Sequence, residues 1–180
     1  MTRLVLPFAI AALAMSLTFA TPADAQRRER GRNSERSVTI QGGAFIHDFY
    51  GDDARPMVAI RANWGLARWL LSEFGTFYTQ PKDIRGAVDV MGVDLALQAQ
   101  LPHSILRPYV GLGAGIHVTL EGGGGDRFAE SSTQAMAGLR LRLTRGIGLR
   151  GEMRYRIDDQ QRSPSAADNV EMTGGISWSW

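Results

Sequence analysis

Three residues with acid–base chemistry recur at every second position of one stretch: His117, Thr119 and Glu121. A base, a hydroxyl and an acid on one face of a strand have the composition of a nucleophilic triad. The base takes the hydroxyl proton and the acid orients the base. A second set is larger. Arg61, Glu73, Asp94, Arg140, Arg142, Arg150, Glu152, Arg154, Arg156 and Glu171 fall on the polar face of segments that alternate polar and apolar. Such charges could line a porin-like ion path or pair into a closed network. An unpaired charge in a narrow interior is costly, which favours the paired network. His47-Asp48 and Asp52-Asp53 could hold a cation in a loop, but solvated loop charges are the simpler reading. Gly111 to Gly115 has the look of a nucleotide fingerprint, yet no helix follows to receive a phosphate.

The elements that would hold these side chains are short alternating strands. In Pro108 to Glu121 the even positions are Val110, Leu112, Ala114, Ile116, Val118 and Leu120. Between them stand Gly111, Gly113, Gly115, His117 and Thr119. Period two marks a strand with two different faces. A tilted strand of about ten residues crosses a bilayer within a β-barrel.

Seven more stretches follow the same rule. The first, 37–47, sets Val38, Ile40, Gly42, Ala44 and Ile46 against Thr39, Gln41 and Gly43, with Phe45 an apolar exception on the polar face. The second, 57–65, sets Val58, Ile60, Ala62 and Trp64 against Ala59, Arg61 and Asn63. The third, 69–78, is weakly patterned; with Glu73 on the polar side, Leu70, Phe74 and Tyr78 take the other. The fourth, 87–100, sets Met91, Val93, Leu95 and Leu97 against Asp94, Ala96, Gln98 and Gln100. The sixth sets Ala135, Ala137, Leu139, Leu141 and Leu143 against Gln134, Gly138, Arg140 and Arg142. The seventh sets Ile147, Leu149, Met153, Tyr155 and Ile157 against Arg150, Glu152, Arg154 and Arg156. The eighth sets Val170, Met172, Ile176, Trp178 and Trp180 against Glu171, Thr173, Gly175 and Ser177.

The connections 48–56, 79–86, 121–131 and 158–168 are longer and polar; 66–68, 101–107 and 145–146 are mostly shorter. An even-stranded membrane barrel has this asymmetry, with long external loops and short periplasmic turns. The expected architecture is therefore an all-β, eight-stranded antiparallel up-and-down transmembrane β-barrel spanning 37–180, with both mature ends in the periplasm.

Ahead of the strands lies a targeting pattern. Arg3 precedes an apolar stretch from Leu4 to Ala20, and Ala23-Asp24-Ala25 is a small-x-small cleavage site. Residues 1–25 read as a cleaved signal peptide. Residues 26–36 contain no apolar side chain and read as a disordered basic periplasmic leader. After the signal, no run approaches the ~18 apolar residues of a membrane helix, so membrane location rests on strands. The chain has no cysteine, which excludes disulfides and thiolate metal sites. Its net charge of +2 gives no global field for nucleic acid, and no motif implies a cofactor. Lys82 is its only lysine beside many arginines.

Alternation alone does not say which face meets lipid. A soluble lipocalin-like barrel binding a small apolar ligand would show the same pattern inverted. Three features favour apolar-out. Trp64, Trp69, Trp178 and Trp180 fall at one end, like an interfacial aromatic girdle, although Trp69 has the wrong parity. Glycines and other small residues stand among the arginines, as a narrow lumen requires. The last residue, Trp180, is an aromatic on the apolar face.

The whole mature stretch resembles the small outer-membrane β-barrel superfamily, proteins similar to the transmembrane domain of outer membrane protein A. The residues that carry the resemblance are Pro108-Tyr109-Val110-Gly111-Leu112-Gly113-Ala114-Gly115 and Gly174-Gly175-Ile176-Ser177-Trp178-Ser179-Trp180. The resemblance implies a bacterial outer-membrane location, contact with outer-membrane lipids and lipopolysaccharide, and insertion by the barrel-assembly machinery. Trp180 would act as the assembly signal, where the family usually has Phe. The resemblance implies an architecture and no activity; the paired lumen charges and polar loops themselves read as a non-enzymatic protein of structural or interaction type, with a plugged charged lumen and external loops for partners. Some barrels of this kind are lipid A deacylases, with a His and a Ser two residues apart. Here Thr119 stands in place of Ser and Leu120 in place of the Asn that follows it, so a deacylase-like enzyme is the runner-up.

Overall fold

The computed structural model describes residues 35–46, 54–80, 82–83, 86–103, 105–121, 127–158 and 167–180. The expected signal peptide and nearly all of the expected leader lie outside these residues, as do His47, Asp48, Asp52, Asp53 and the run Gly122 to Gly125.

Among the described residues eight long strands form the barrel: β1 Arg36–Ile46, β2 Ala54–Gly65, β3 Leu70–Thr79, β4 Gly86–Gln100, β5 Leu106–Glu121, β6 Arg127–Arg142, β7 Ile147–Asp158 and β8 Ala167–Ser179. Each pairs antiparallel with the next, and β1 pairs with β8. That last pairing, from Ser37 opposite Ser179 to Ile46 opposite Val170, closes the sheet into a barrel without edges. Closure satisfies the backbone hydrogen bonds of every strand internally, as a hydrocarbon environment demands. Lys82–Asp83 pairs with Gly86 and Ala87 as a small extension of the β3–β4 connection. Among the described residues there is no helix.

Register turns the alternation into two surfaces. One row of outward positions runs Ile60, Ile40, Ile176, Leu149, Leu141 and Leu106 across six consecutive strands. Leu112 on the same surface is 71% exposed, while Arg61 inside is 0% exposed. The barrel is therefore apolar outside and polar inside, which overturns the lipocalin-like alternative: an apolar ligand would meet guanidinium groups in the lumen.

The lumen has an apolar layer as well. Phe45, Met57, Ala59, Phe77 and Val90 cluster toward the long-loop end. Phe45 is thus a plug residue and no fault in the pattern. The short turns sit at the other end. Thr144 Oγ1 accepts from the backbone of Gly146 at 3.3 Å and of Ile147 at 3.0 Å, fixing the β6–β7 turn. Leu66 and Ala67 both donate to the Leu70 carbonyl, fixing the β2–β3 turn.

Several boundaries differ from expectation. β1 begins at Arg36, inside the expected leader, and Glu35 joins the barrel through an ion pair with Arg107. β2 begins at Ala54 and β5 at Leu106, each earlier than its hydrophobic pattern. β6 begins at Arg127, so Phe128 to Ser131, expected as loop, continue the strand. For β1, β2 and β6 the reason is common: strand ends beyond the apolar belt need backbone pairing and no hydrophobic signal, so polar sequence conceals them; at β5 the apolar Leu106 extends the outward row past Pro108, which reads as a strand start.

Candidate functional site: the ion-paired lumen

β7 supplies the spine of the interior. Period two on this strand points Arg150, Glu152, Arg154 and Arg156 inward in series, all buried. Glu73 comes from β3, Asp94 from β4, Arg61 from β2 and Glu171 from β8. The spine thus meets partners from several walls.

Two linked groups result. In the first, Arg150 Nη1 lies 2.6 Å from Glu73 Oε2, and Arg150 also pairs with Glu152. Arg154 Nε donates to Glu152 Oε1 at 2.6 Å and its Nη2 pairs with Glu73. Tyr109 completes the ring: its hydroxyl donates to Glu152 at 2.5 Å and accepts from Arg150 Nε at 2.7 Å. In the second group, Arg61 Nη1 donates to Asp94 Oδ2 at 2.7 Å, and its Nη2 lies 3.3 Å from Glu171. Arg156 donates to Asp94 at 2.9 Å, to Glu171 at 2.7 Å and to Ser132 at 2.8 Å. Arg154 and Asp94, 3.8 Å apart, join the groups.

Charge balances inside this core: Arg61, Arg150, Arg154 and Arg156 stand against Glu73, Asp94, Glu152 and Glu171. Each guanidinium reaches at least two carboxylates, and such charge-assisted bonds offset desolvation only when nearly all are made. Arg140, nearer the short turns, has no carboxylate within ion-pair distance among the described residues. It donates to Gln100 at 2.9 Å, to Asn63 at 2.9 Å and to Gln98, and lies 4.4 Å from the Tyr109 ring centroid. Amide oxygens and a π-face solvate this cation.

Arg142 is the exception among the expected lumen residues. As the last residue of β6 it lies beyond the end of the lumen, 45% exposed, with Nη2 3.7 Å from Glu35. Parity was right, but the barrel ends before it. Trp69 belongs to the β2–β3 turn and not to a strand, so strand parity does not govern it; it is exposed, as is Trp180, at the short-turn end. Trp64 and Trp178 lie on the outward face at the same end, opposite Arg36 and Val38 respectively.

Of the His117 group, the structure describes the imidazole. His117 is 5% exposed and faces the lumen, its Nε2 3.2 Å from Glu130 and its Nδ1 3.8 Å from Asp158. Its carboxylate neighbours come from β6 and β7. The side chains of Thr119 and Glu121 lie outside the described ones.

Sequence reasoning missed Tyr109, Phe77 and Gln98 as network members. Phe77 lies 4.5 Å under the Arg156 guanidinium, and Gln98 donates to Glu73 at 2.8 Å. Tyr109 shares its face with Gly111 and His117, which was the available signal. A large aromatic inside a narrow barrel became visible only with Gly138 across from it: a Cβ there would lie 2.5 Å from the Tyr109 ring.

An edgeless barrel, apolar outside and ion-paired inside, has the architecture of a small transmembrane β-barrel. No family model and no curated protein matches the sequence. Solved structures do match the fold. Neisserial surface protein A superposes with a TM-score of 0.61 at 13% identity, over 81% of this chain and 96% of that one. Ail, the attachment invasion locus protein of Yersinia pestis, gives 0.55 at 12%, over 82% and 99%. The outer membrane enzyme PagL gives 0.52 at 11%, over 78% and 97%. At such identities the likeness concerns the fold alone, and PagL shows that the same fold can carry an enzyme.

Proposed function

We propose that this protein is a transmembrane barrel of the bacterial outer membrane, non-enzymatic and closed to ions, acting as a structural or interaction element through its lipid-facing wall and external loops. One observation carries the reading: four arginines and four carboxylates fill the lumen with almost no exposed surface, while the outer wall is a continuous apolar row. Eight strands leave room for side chains but little for water. The short-turn end, with its tryptophans, then faces the periplasm, and Trp180 serves as the assembly signal.

Two experiments test this. The outer-membrane fraction is run on a gel boiled and unboiled; a barrel of this kind changes apparent size on boiling. Recovery in the soluble fraction with no change of mobility would overturn the membrane location. The purified protein in a planar bilayer should show no large unitary current, and stable large steps would overturn the closed lumen.

The enzyme reading has His117 in its favour. Against it, the imidazole faces the lumen and sits between Glu130 and Asp158, away from the lipid wall. Lipid A from cells with and without the gene should show the same acyl pattern by mass spectrometry; a changed pattern would restore that reading.

A further inference from the structure

The short-turn rim carries arginines that the lumen network does not use. Arg36 opens β1 on its outward face, with Trp64 opposite it in register and its carbonyl accepting the backbone N–H of Trp180 at 3.1 Å. Arg68 is exposed in the β2–β3 turn beside Trp69. Arg145 is exposed in the β6–β7 turn, where the Gly146 carbonyl accepts from Ser179, between Trp178 and Trp180, at 2.9 Å. Arg36 and Arg68 therefore each sit next to a tryptophan, across the sheet or on the chain, and Arg145 adjoins the glycine bonded to Ser179 between two more. Among the described residues none of the three has a carboxylate within ion-pair distance, whereas Arg107 and Arg142, at the mouth of the lumen, share Glu35.

Tryptophan settles at the depth of lipid headgroups, and an arginine beside it at the end of an apolar face extends its guanidinium to the same level. Guanidinium groups bind phosphate oxygens in pairs, which an ammonium does not, and this rim uses no lysine at all. An unpaired basic collar at headgroup depth attracts anionic lipid.

We infer that the rim formed by Arg36, Arg68 and Arg145 with Trp64, Trp69, Trp178 and Trp180 is a binding site for the phosphate headgroups of anionic glycerophospholipids in the leaflet that surrounds the short turns. The inference rests on the transmembrane reading above. It gives the two ends of the barrel different lipid preferences and fixes its depth at one leaflet.

All four tryptophans of the chain lie at this rim, so their fluorescence reports on it alone. The protein purified from cell membranes is reconstituted in vesicles of mixed phosphatidylcholine and phosphatidylglycerol, with bromine on the acyl chains of one lipid or the other. Brominated phosphatidylglycerol should quench as though enriched about fivefold over its bulk share, and the excess should fall as salt is raised. Arg36→Gln/Arg68→Gln/Arg145→Gln should quench equally with either lipid. Arg68→Gln alone, in an exposed turn, should give a partial loss even where the triple variant folds poorly.

Equal quenching of the unmodified protein by both lipids would overturn the inference and would fit a soluble acidic partner instead. Preference retained in the variants would overturn it too. Failure to insert into any vesicle, seen as gel mobility unchanged by boiling, would overturn the transmembrane reading itself, so the two failures are told apart.

Discussion

Arg156 on β7 and Asp94 on β4 meet across the lumen as a two-point ion pair, Nη1 to Oδ1 at 2.9 Å and Nη2 to Oδ2 at 3.2 Å. Their strands are not neighbours in the sheet, so this contact braces opposite walls of the barrel. Arg61 shares the same carboxylate, and one residue thereby bridges two guanidinium groups.

Removing Asp94 should therefore cost more than one ordinary ion pair. Asp94→Ala leaves Arg61 and Arg156 to share Glu171, and breaking a buried pair from one side costs about 3–5 kcal/mol. Asp94→Asn keeps an acceptor and should cost less. The urea midpoint of unfolding in detergent measures both. The difference should persist in roughly 1 M salt, because buried pairs are little screened. A loss within experimental error for Asp94→Ala would mean that the network is not coupled as described.

The closed lumen predicts a specific way to open it. Glu73→Ala/Arg154→Ala deletes a directly paired acid and base, so the core keeps its net charge while losing two long side chains. Discrete current steps should appear in planar bilayers where the unmodified protein gives none of comparable size. A silent double variant with its heat-dependent gel mobility intact would show that Tyr109, Arg150 and Glu152 suffice to close the passage.

Gly75 makes room for Arg61. The three atoms nearest a Cβ at that position all belong to the Arg61 side chain, its Cδ at 2.8 Å and its Nη1 closer still. Gly75→Ala should therefore push Arg61 off Asp94 and Glu171 at a cost of about 1–3 kcal/mol. In an Arg61→Met background the same change should cost measurably less, a non-additivity that a double-mutant cycle reads directly. Equal costs in both backgrounds would place the strain in the backbone.

Trp180 lies on the outward face, 70% exposed, with its backbone N–H donating to Arg36. If the assembly machinery reads it as an aromatic, Trp180→Phe should reach the outer membrane at normal levels and Trp180→Ala should accumulate unassembled. Refolding of both in detergent micelles should proceed alike, because the side chain contributes nothing to the lumen. A matching defect of Trp180→Ala in micelles would make the residue structural.

Much of this architecture is legible in the sequence because one physical rule repeats along it. The side-chain period of a strand is two, so a barrel with unlike faces writes its strands as alternation. That rule places Arg61, Glu73, Asp94, Arg150, Glu152, Arg154, Arg156 and Glu171 on one face. It also assigned Arg142 to the lumen, since periodicity carries no information on where the barrel stops. The early starts of β2 and β6 escaped for the related reason that strand ends in water have no apolar face to alternate. Tyr109 was readable as a lumen position but not as the bridge between Arg150 and Glu152.

By itself, then, the sequence determined the number of strands, their two faces and the end at which the tryptophans gather, because local alternation and turn composition encode them. Only the tertiary structure decided which charges meet. Glu73 on β3 and Arg154 on β7 are 81 residues apart and share no local pattern; they pair because closure of β1 onto β8 curls the sheet until opposite walls come within reach of one long side chain. The same closure leaves Arg36, Arg68 and Arg145 outside the network, on a rim where the lumen offers them no carboxylate.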